Sequence, residues 1–241
     1  MCTVSYIPPF GGKSFILTSN RDEVDYRATA APKKYLIGNT ELAFPKDQRA
    51  GGSWIATKEE GRLCCLLNGG FIGHSKQKHH TVSRGTIVVE LTASSLSVKE
   101  FFKNRLLSNV EPFTMVTIEF SPAGAHSIYE FIWDGQLKHY QELDKNKPYI
   151  WSSSTLYSSE HRALRQGWFN KFYNSTNKML VPDDVYHFHA GTHTSNTAIN
   201  TVMEGDNGLK TLSITQLFIR HNKLKMYYHN LVNNTKHKLT F

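Results

Sequence analysis

Cys2, Arg21, Asp22 and Asn68 are residues whose types and spacing suit acyl-transfer chemistry. Cys2 follows Met1 directly, and removal of Met1 would leave a thiol and a free α-amine on one residue. A thiol attacks as thiolate, so it needs a nearby positive charge or base to lower its pKa. Arg21 can supply the charge. An α-amine titrates at about 8, close to neutrality, so it can shuttle protons, and Asp22 can orient it. Acyl transfer also develops an oxyanion, and the Asn68 amide, beside Gly69 and Gly70, is a suitable donor. With Met1 retained the base would not exist.

Each of these residues also has an ordinary role. Cys2 suits a small buried strand position. The run Asn20, Arg21, Asp22, Glu23 reads equally as a turn with exposed ion pairs. Asn68 before two glycines is common turn punctuation. Only their conjunction points to chemistry. A rival group, His187, His189 and His193 in YHFHAGTH, would put alternate histidines on one strand face, where two could share a metal or ligate haem. The sequence identifies no further ligand, so surface or core histidines are the preferred reading, and neither a metal nor a cofactor is expected.

The elements that must position these residues come from periodicity. Residues 2 to 8 and 14 to 20 read as a hairpin around PPFGGK, the second strand ending at Asn20, which brings the run from Asn20 to Glu23 back toward Cys2. Residues 24 to 50 read as an irregular, Pro-containing segment. A second hairpin follows, with Trp54 and Ile55 on one strand and Leu63 to Leu67 on the other; that apolar run predicts a central strand covered on both faces. HSKQKHH at 74 to 80 reads as a solvated loop. RGTIVVELTASS and SVKEFFKNRLLS have helical spacing, with Ser97 as N-cap of the second. Strands are expected at 113 to 120 and 126 to 133, around SPAGA, and at 136 to 141 and YIWSSST. An amphipathic helix with Leu164, Trp168 and Phe172 on one face follows, and then strands at TLSITQLFI and KLKMYYHNLV. Strands interleaved with helix pairs predict a layered α+β or α/β fold, with 1–241 as one domain.

Composition sets limits. Of 241 residues, 39% are hydrophobic, enough for a sizeable core, and the net charge is +8. The positive charge is spread thinly, without the basic and aromatic interleaving of a nucleic-acid surface, so no nucleic-acid partner is expected. Three cysteines, two of them the neighbours Cys64 and Cys65, argue against a disulfide framework, since adjacent strand residues face opposite ways. No leader peptide or membrane span is evident, which makes cytoplasmic residence the expectation.

The strings MCTV, TSNRDE, GGSWIA and LLNGG resemble the NRDE family, also called the transport-and-Golgi-organisation family. That family is similar to the N-terminal nucleophile hydrolases, including choloylglycine hydrolase and penicillin acylase type enzymes. The resemblance is specific over residues 1 to 73. It implies a four-layer αββα sandwich of two antiparallel sheets. In it Cys2 would be the nucleophile, Arg21 would sit against the thiolate, Asp22 would hold the α-amine, and Asn68 would donate to the oxyanion. Asn20 and Glu23 would support the motif, and Gly52, Ser53 and Trp54 would line the strand and pocket. Two positions depart from the family pattern: Ser153 stands where an Asn is expected, and Leu212 where a basic residue is.

The function this predicts is hydrolysis or acyl transfer on a non-peptide amide, with a small-molecule amide or acyl substrate. The alternative is a binding or trafficking module that holds a hydrophobic ligand such as acyl-CoA, lipid or haem.

Overall fold

β1 (Thr3–Ile7) and β2 (Ile16–Val24) pair antiparallel, Thr3 opposite Asn20 and Ile7 opposite Ile16. The computed structural model describes residues 3–9, 14–175 and 179–241, so Met1, Cys2 and residues 10–13 of the predicted turn lie outside the described residues. β2 does not stop at Asn20. It runs on to Val24 because β11 (Leu209–Arg220) pairs with it from Ile16 to Val24, giving the polar run from Asn20 to Glu23 a ladder partner instead of a turn. The six-stranded sheet is completed by β10 (Tyr149–Ser152) beside β1, then β12 (Lys223–Asn230) and β13 (Thr235–Thr240) beyond β11. The last of these has no counterpart in the sequence expectations.

Residues 24 to 50, expected to be irregular, instead supply β3 (Thr29–Ile37) and β4 (Thr40–Asp47). Gly38 takes the left-handed φ of 58° in the two-residue turn between them. Pro32 is tolerated because β3 is an edge strand and its register shifts between Ala30 and Lys33. β5 (Ile55–Thr57), β6 (Gly61–Asn68), β7 (Phe113–Ser121), β8 (Gly124–Trp133) and β9 (Lys138–Leu143) follow in order to make a seven-stranded antiparallel sheet. β6 is central and buried from Arg62 to Leu67, as its apolar run predicts.

α1 (Arg84–Ala93) and α2 (Val98–Asn104) cover the outer face of the seven-stranded sheet. Ser97 caps α2 in a reciprocal capping box with Glu100. α3 (Ser159–Asn174) and α4 (Pro182–Ala190) cover the six-stranded sheet. The buried face of α3 carries Arg165 and Phe169, while Leu164 is 48% exposed. The expected apolar stripe is thus rotated, because Arg165 has backbone carbonyls to bond beneath the helix. YHFHAGTH, read as a strand, begins inside α4. Pro182 at the first turn fixes a helical φ, and the Asp184 carboxylate accepts the Val181 N–H at 3.0 Å. His187 is therefore exposed and His189 buried, rather than side by side. Among the described residues no group of three or more His, Cys, Asp or Glu is placed to hold a metal ion.

The larger core fills the space between the sheets, where Val4, Tyr6 and Leu17 face Leu63, Cys65 and Ile118, and continues through the seven-stranded sheet, where Leu66 and Met115 turn to α1 and α2. A second joins Ile7, Ile16 and Phe218 of the six-stranded sheet to Phe169, Val185 and Phe188 of its helices. The result is helix, sheet, sheet, helix. Cys64 and Cys65 are free, buried and turned oppositely: Cys64 toward Thr92 of α1 and Cys65 toward Ser19 of β2. Burial pushes the Cys65 thiol up to about 12, which leaves it protonated and inert. Among the described residues no helix is long and apolar enough to cross a membrane.

Candidate active site

The period-2 alternation of β2 divides its polar residues between two faces. Leu17, Ser19, Arg21 and Glu23 turn toward the seven-stranded sheet, and Thr18, Asn20 and Asp22 toward the helices. Of these residues, Arg21 and Glu23, both of the first group, reach a cleft. Arg21 Nη2 donates to Asp47 Oδ2 at 3.0 Å, and its guanidinium lies 4.9 Å from the Trp54 ring centroid. Burial pulls the Arg21 pKa down, and Glu23 and Asp47 oppose that shift. Burial also pushes the Asp47 carboxyl up, but the Ala50 N–H and the Arg27 and Arg21 guanidiniums outweigh it and hold it below its usual value. Arg27 closes the group with ion pairs to Glu23 at 2.8 Å and Asp47 at 2.7 Å.

The cleft has a volume of about 440 Å³. Arg21, Glu23, Ser53, Trp54 and Asn68 all line it, as do Arg27, Asp47 and Arg49. Its far wall is the start of α1 and the loop before it, with Arg84, Gly85, His80 and Lys76. That wall is brought close by a glycine pair. A Cβ on Gly52 would stand 2.5 Å from the Gly85 carbonyl carbon, so only glycine lets the 51–54 turn and the helix meet. The Ser53 N–H donates to Gly85 O at 3.2 Å across the same junction. Ser53 Oγ is committed to the backbone, 2.6 Å from Pro45 O and 2.8 Å from Ile55 O.

Asn68 ends β6, and Gly69 after it has a φ of 87°. Ser153 Oγ donates to the Asn68 carbonyl at 2.7 Å and lies 2.8 Å from Thr155 Oγ1. Ser153 thus fixes the strand end from which the Asn68 side chain projects. A second recess of about 310 Å³ begins where the same segment continues, lined by Leu67, Phe71, Ile132, Ile150, Trp151 and Arg162.

Behind β1 and β2, on the helix side, the remaining polar residues are buried and bonded. Asp22 accepts the Tyr157 hydroxyl on Oδ2 at 2.9 Å and the Thr211 hydroxyl on Oδ1 at 2.6 Å. The Tyr157 ring in turn lies 3.7 Å from the buried Arg165 guanidinium, which bonds Thr3 Oγ1, Ile199 O and Asn200 O. Asn20 Nδ2 donates to the carbonyls of His189 at 3.0 Å and Thr201 at 2.6 Å. Its Oδ1 must therefore accept from His189 Nδ1, 2.6 Å away. That tautomer leaves His189 Nε2 to accept the Ser5 hydroxyl at 2.6 Å. Burial, with Arg165 and His193 adding to it, lowers the His189 pKa to about 3 and keeps the ring neutral.

Of the residues singled out from sequence, the structure brings Arg21, Glu23, Ser53, Trp54 and Asn68 to one cleft. Asn20 and Asp22 stand behind the strand, Ser153 braces Asn68, and Cys2 lies outside the described residues. Leu212 is a buried apolar residue. Sequence reasoning misses Arg27, Asp47 and Arg84, and it reads Lys76 and His80 as parts of a solvated loop, though both line the cleft. For Asp47 the available signal is an acid just before Gly51–Gly52, placed to cap the turn through the N–H groups of Arg49 and Ala50.

The model of the family described as Transport and Golgi organisation 2 matches residues 1–232. No curated protein matches the chain in sequence. Among solved structures it is similar to the Caenorhabditis elegans ortholog of N-acylethanolamine-hydrolyzing acid amidase, at 9% identity and a TM-score of 0.59, covering 90% of this chain and 92% of that one. It is also similar to an arginine-to-leucine variant of conjugated bile acid hydrolase from Clostridium perfringens, at 11% identity and a TM-score of 0.55, covering 99% of this chain and 92% of that one. At these identities the likeness is one of fold: an N-terminal nucleophile hydrolase sandwich.

Proposed function

The chain belongs to the Transport and Golgi organisation 2 family, and we propose that it is an amide hydrolase or acyltransferase that uses Cys2 as its nucleophile. The observation that carries this reading is the convergence of Arg21, Trp54 and Asn68 on one cleft at the end of β2 where β1 begins. Thr3, the first described residue of β1, lies opposite Asn20 and Ser152. Val4 and Tyr6 turn to the inter-sheet face that carries Arg21, and Cys2 is the next residue of that parity. In this scheme the thiolate attacks an amide carbonyl while Arg21 favours its charged form and Asn68 donates to the oxyanion. The C–N bond breaks and the α-ammonium of Cys2 gives its proton to the leaving amine. Water, deprotonated by the same α-amine, then attacks the thioester carbonyl, and the C–S bond breaks to release the acid and restore the thiol. The amidase and hydrolase named among the fold neighbours support an amide as the bond attacked.

The test is intact-protein mass before and after a thiol-directed electrophile at neutral pH. The expected result is loss of Met1 with rapid labelling at one site that disappears in Cys2→Ala; the buried Cys64 and Cys65 should label slowly. Retained Met1 with a sluggish thiol would remove the mechanism and favour a cleft that binds its ligand without reacting.

A further inference from the structure

The cleft is unequal in charge. Its lining includes Arg21, Arg27, Arg49, Lys76 and Arg84 against Glu23, Asp47 and Glu111. Each of the three carboxylates already has a guanidinium: Glu23 that of Arg27, Asp47 those of Arg21 and Arg27, and Glu111 that of Arg84 at 3.5 Å. Arg49 and Lys76 have no carboxylate partner among the described residues, and both side chains are exposed at the cleft. The charges left over are therefore cationic, Arg49 in the turn after β4 and Lys76 in the loop before α1, both lining the cleft with Arg84. The first turn of α1 carries no acidic residue, so its positive end is not offset there. A separate observation points the same way: Trp54 is 3% exposed and lines the cleft, and its buried Nε1–H has no hydrogen-bond partner among the described residues. A buried donor left unmade costs free energy that an acceptor on a ligand would recover.

We propose that the cleft selects substrates bearing an anionic group, a carboxylate or a phosphate, which Arg49, Lys76 and Arg84 hold while the Trp54 N–H bonds an oxygen of the ligand. This names the substrate class of the site and rests on the amide-hydrolase reading only for the bond attacked. The neutral acyl part of such a substrate has the neighbouring recess beside Phe71 and Trp151.

The experiment is calorimetric binding to full-length Cys2→Ala protein, which removes turnover from the readout. Three probes share one acyl chain: N-octanoylethanolamine, which is neutral, N-octanoylglycine, and N-octanoyl phosphoethanolamine. At least one anionic probe should bind about tenfold or more tightly than the neutral one, the gain of a charge-assisted contact, and the better of the two identifies the anion. The double variant Arg49→Gln, Lys76→Gln, made at two exposed positions, should lose most of that preference and keep its affinity for the neutral probe. Arg84→Gln should do the same, and Trp54→Phe should weaken all three. Equal affinities, a preference that survives both basic-residue variants, or no binding of an anionic probe at millimolar concentration would overturn the proposal. Rapid Cys2 labelling combined with equal affinities would leave the hydrolase reading in place and remove this one alone. A sluggish thiol with a clear anionic preference would do the reverse.

Discussion

At the scale of single residues, burial behind β2 fixes the protonation state of a side chain that would otherwise titrate near neutrality. That side chain is His189, bonded to Asn20 of the strand. Its ring nitrogens are both engaged, donating to Asn20 and accepting from Ser5, and burial lowers its pKa from 6.5 to about 3. In the unfolded chain the same ring takes up a proton below about 6.5. Between the two values the unfolded state binds more protons, so its contribution to stability is complete above pH 6.5 and is lost as the pH falls toward 3. The expected slope from this residue is about 1.4 kcal/mol per pH unit across that window. Urea midpoints from pH 7.5 down to 4.5 should show it, and His189→Gln should flatten the dependence by one proton while lowering stability at neutral pH. An unchanged slope in the variant would mean that His189 is not the group being protonated.

Elements bring the cleft together through close approaches, and the space around each glycine separates two kinds. Gly52→Ala would drive a methyl into the Gly85 backbone, where neither the turn nor the first residues of α1 can yield without opening the cleft wall. A loss of about 1–3 kcal/mol by chemical denaturation is expected. Gly167 is different: it lies inside α3, and a methyl added there would meet nothing within 4 Å, so Gly167→Ala should stabilise by about 1 kcal/mol through helix propensity. A neutral Gly52→Ala would show that the junction is loose, and a destabilising Gly167→Ala would mean that α3 packs more tightly there. Legibility also divides at this scale. Ser97 and Glu100 announce α2 locally, and the run from Leu63 to Leu67 announces a doubly covered strand. Residues 24 to 50 mislead because an edge-strand proline looks like loop punctuation until the neighbouring strand is known. The buried stripe of α3 is hidden because nothing near Arg165 in sequence reveals that its partners are at 199 and 200. The same holds at the site. Arg21 and Asn68 are readable from their neighbours, whereas Arg84 stands beside the Gly52–Gly85 contact and Lys76 comes from the loop before α1, neither of which local sequence reveals.

At the scale of the molecule, the order of strands ties the two ends of the chain together. The six-stranded sheet is made from residues 3–24, 149–152 and 209–240, and all of β3 to β9 lies between the first and second of these stretches. β11, near the end of the chain, is the direct neighbour of β2, near its start. The inter-sheet core also draws side chains from both sheets, so the seven-stranded sheet cannot bury its inner face without the other. We therefore propose that residues 1–241 unfold as one cooperative domain, although the length would allow two. The large share of long-range strand pairing also implies slow folding, in milliseconds to seconds rather than microseconds. The tryptophans make the test direct. Trp54 belongs to the larger core and Trp168 packs against the core under α3 and α4, so fluorescence variants keeping one or the other report on separate layers. Their urea transitions should coincide with each other and with far-ultraviolet circular dichroism. A separate early transition for Trp168 would mean that α3 and α4 melt from a sheet pair that survives without them. In that case Arg165 and Tyr157 could not be what fixes Asp22, and the anchoring of β1 would have to come from the sheet alone.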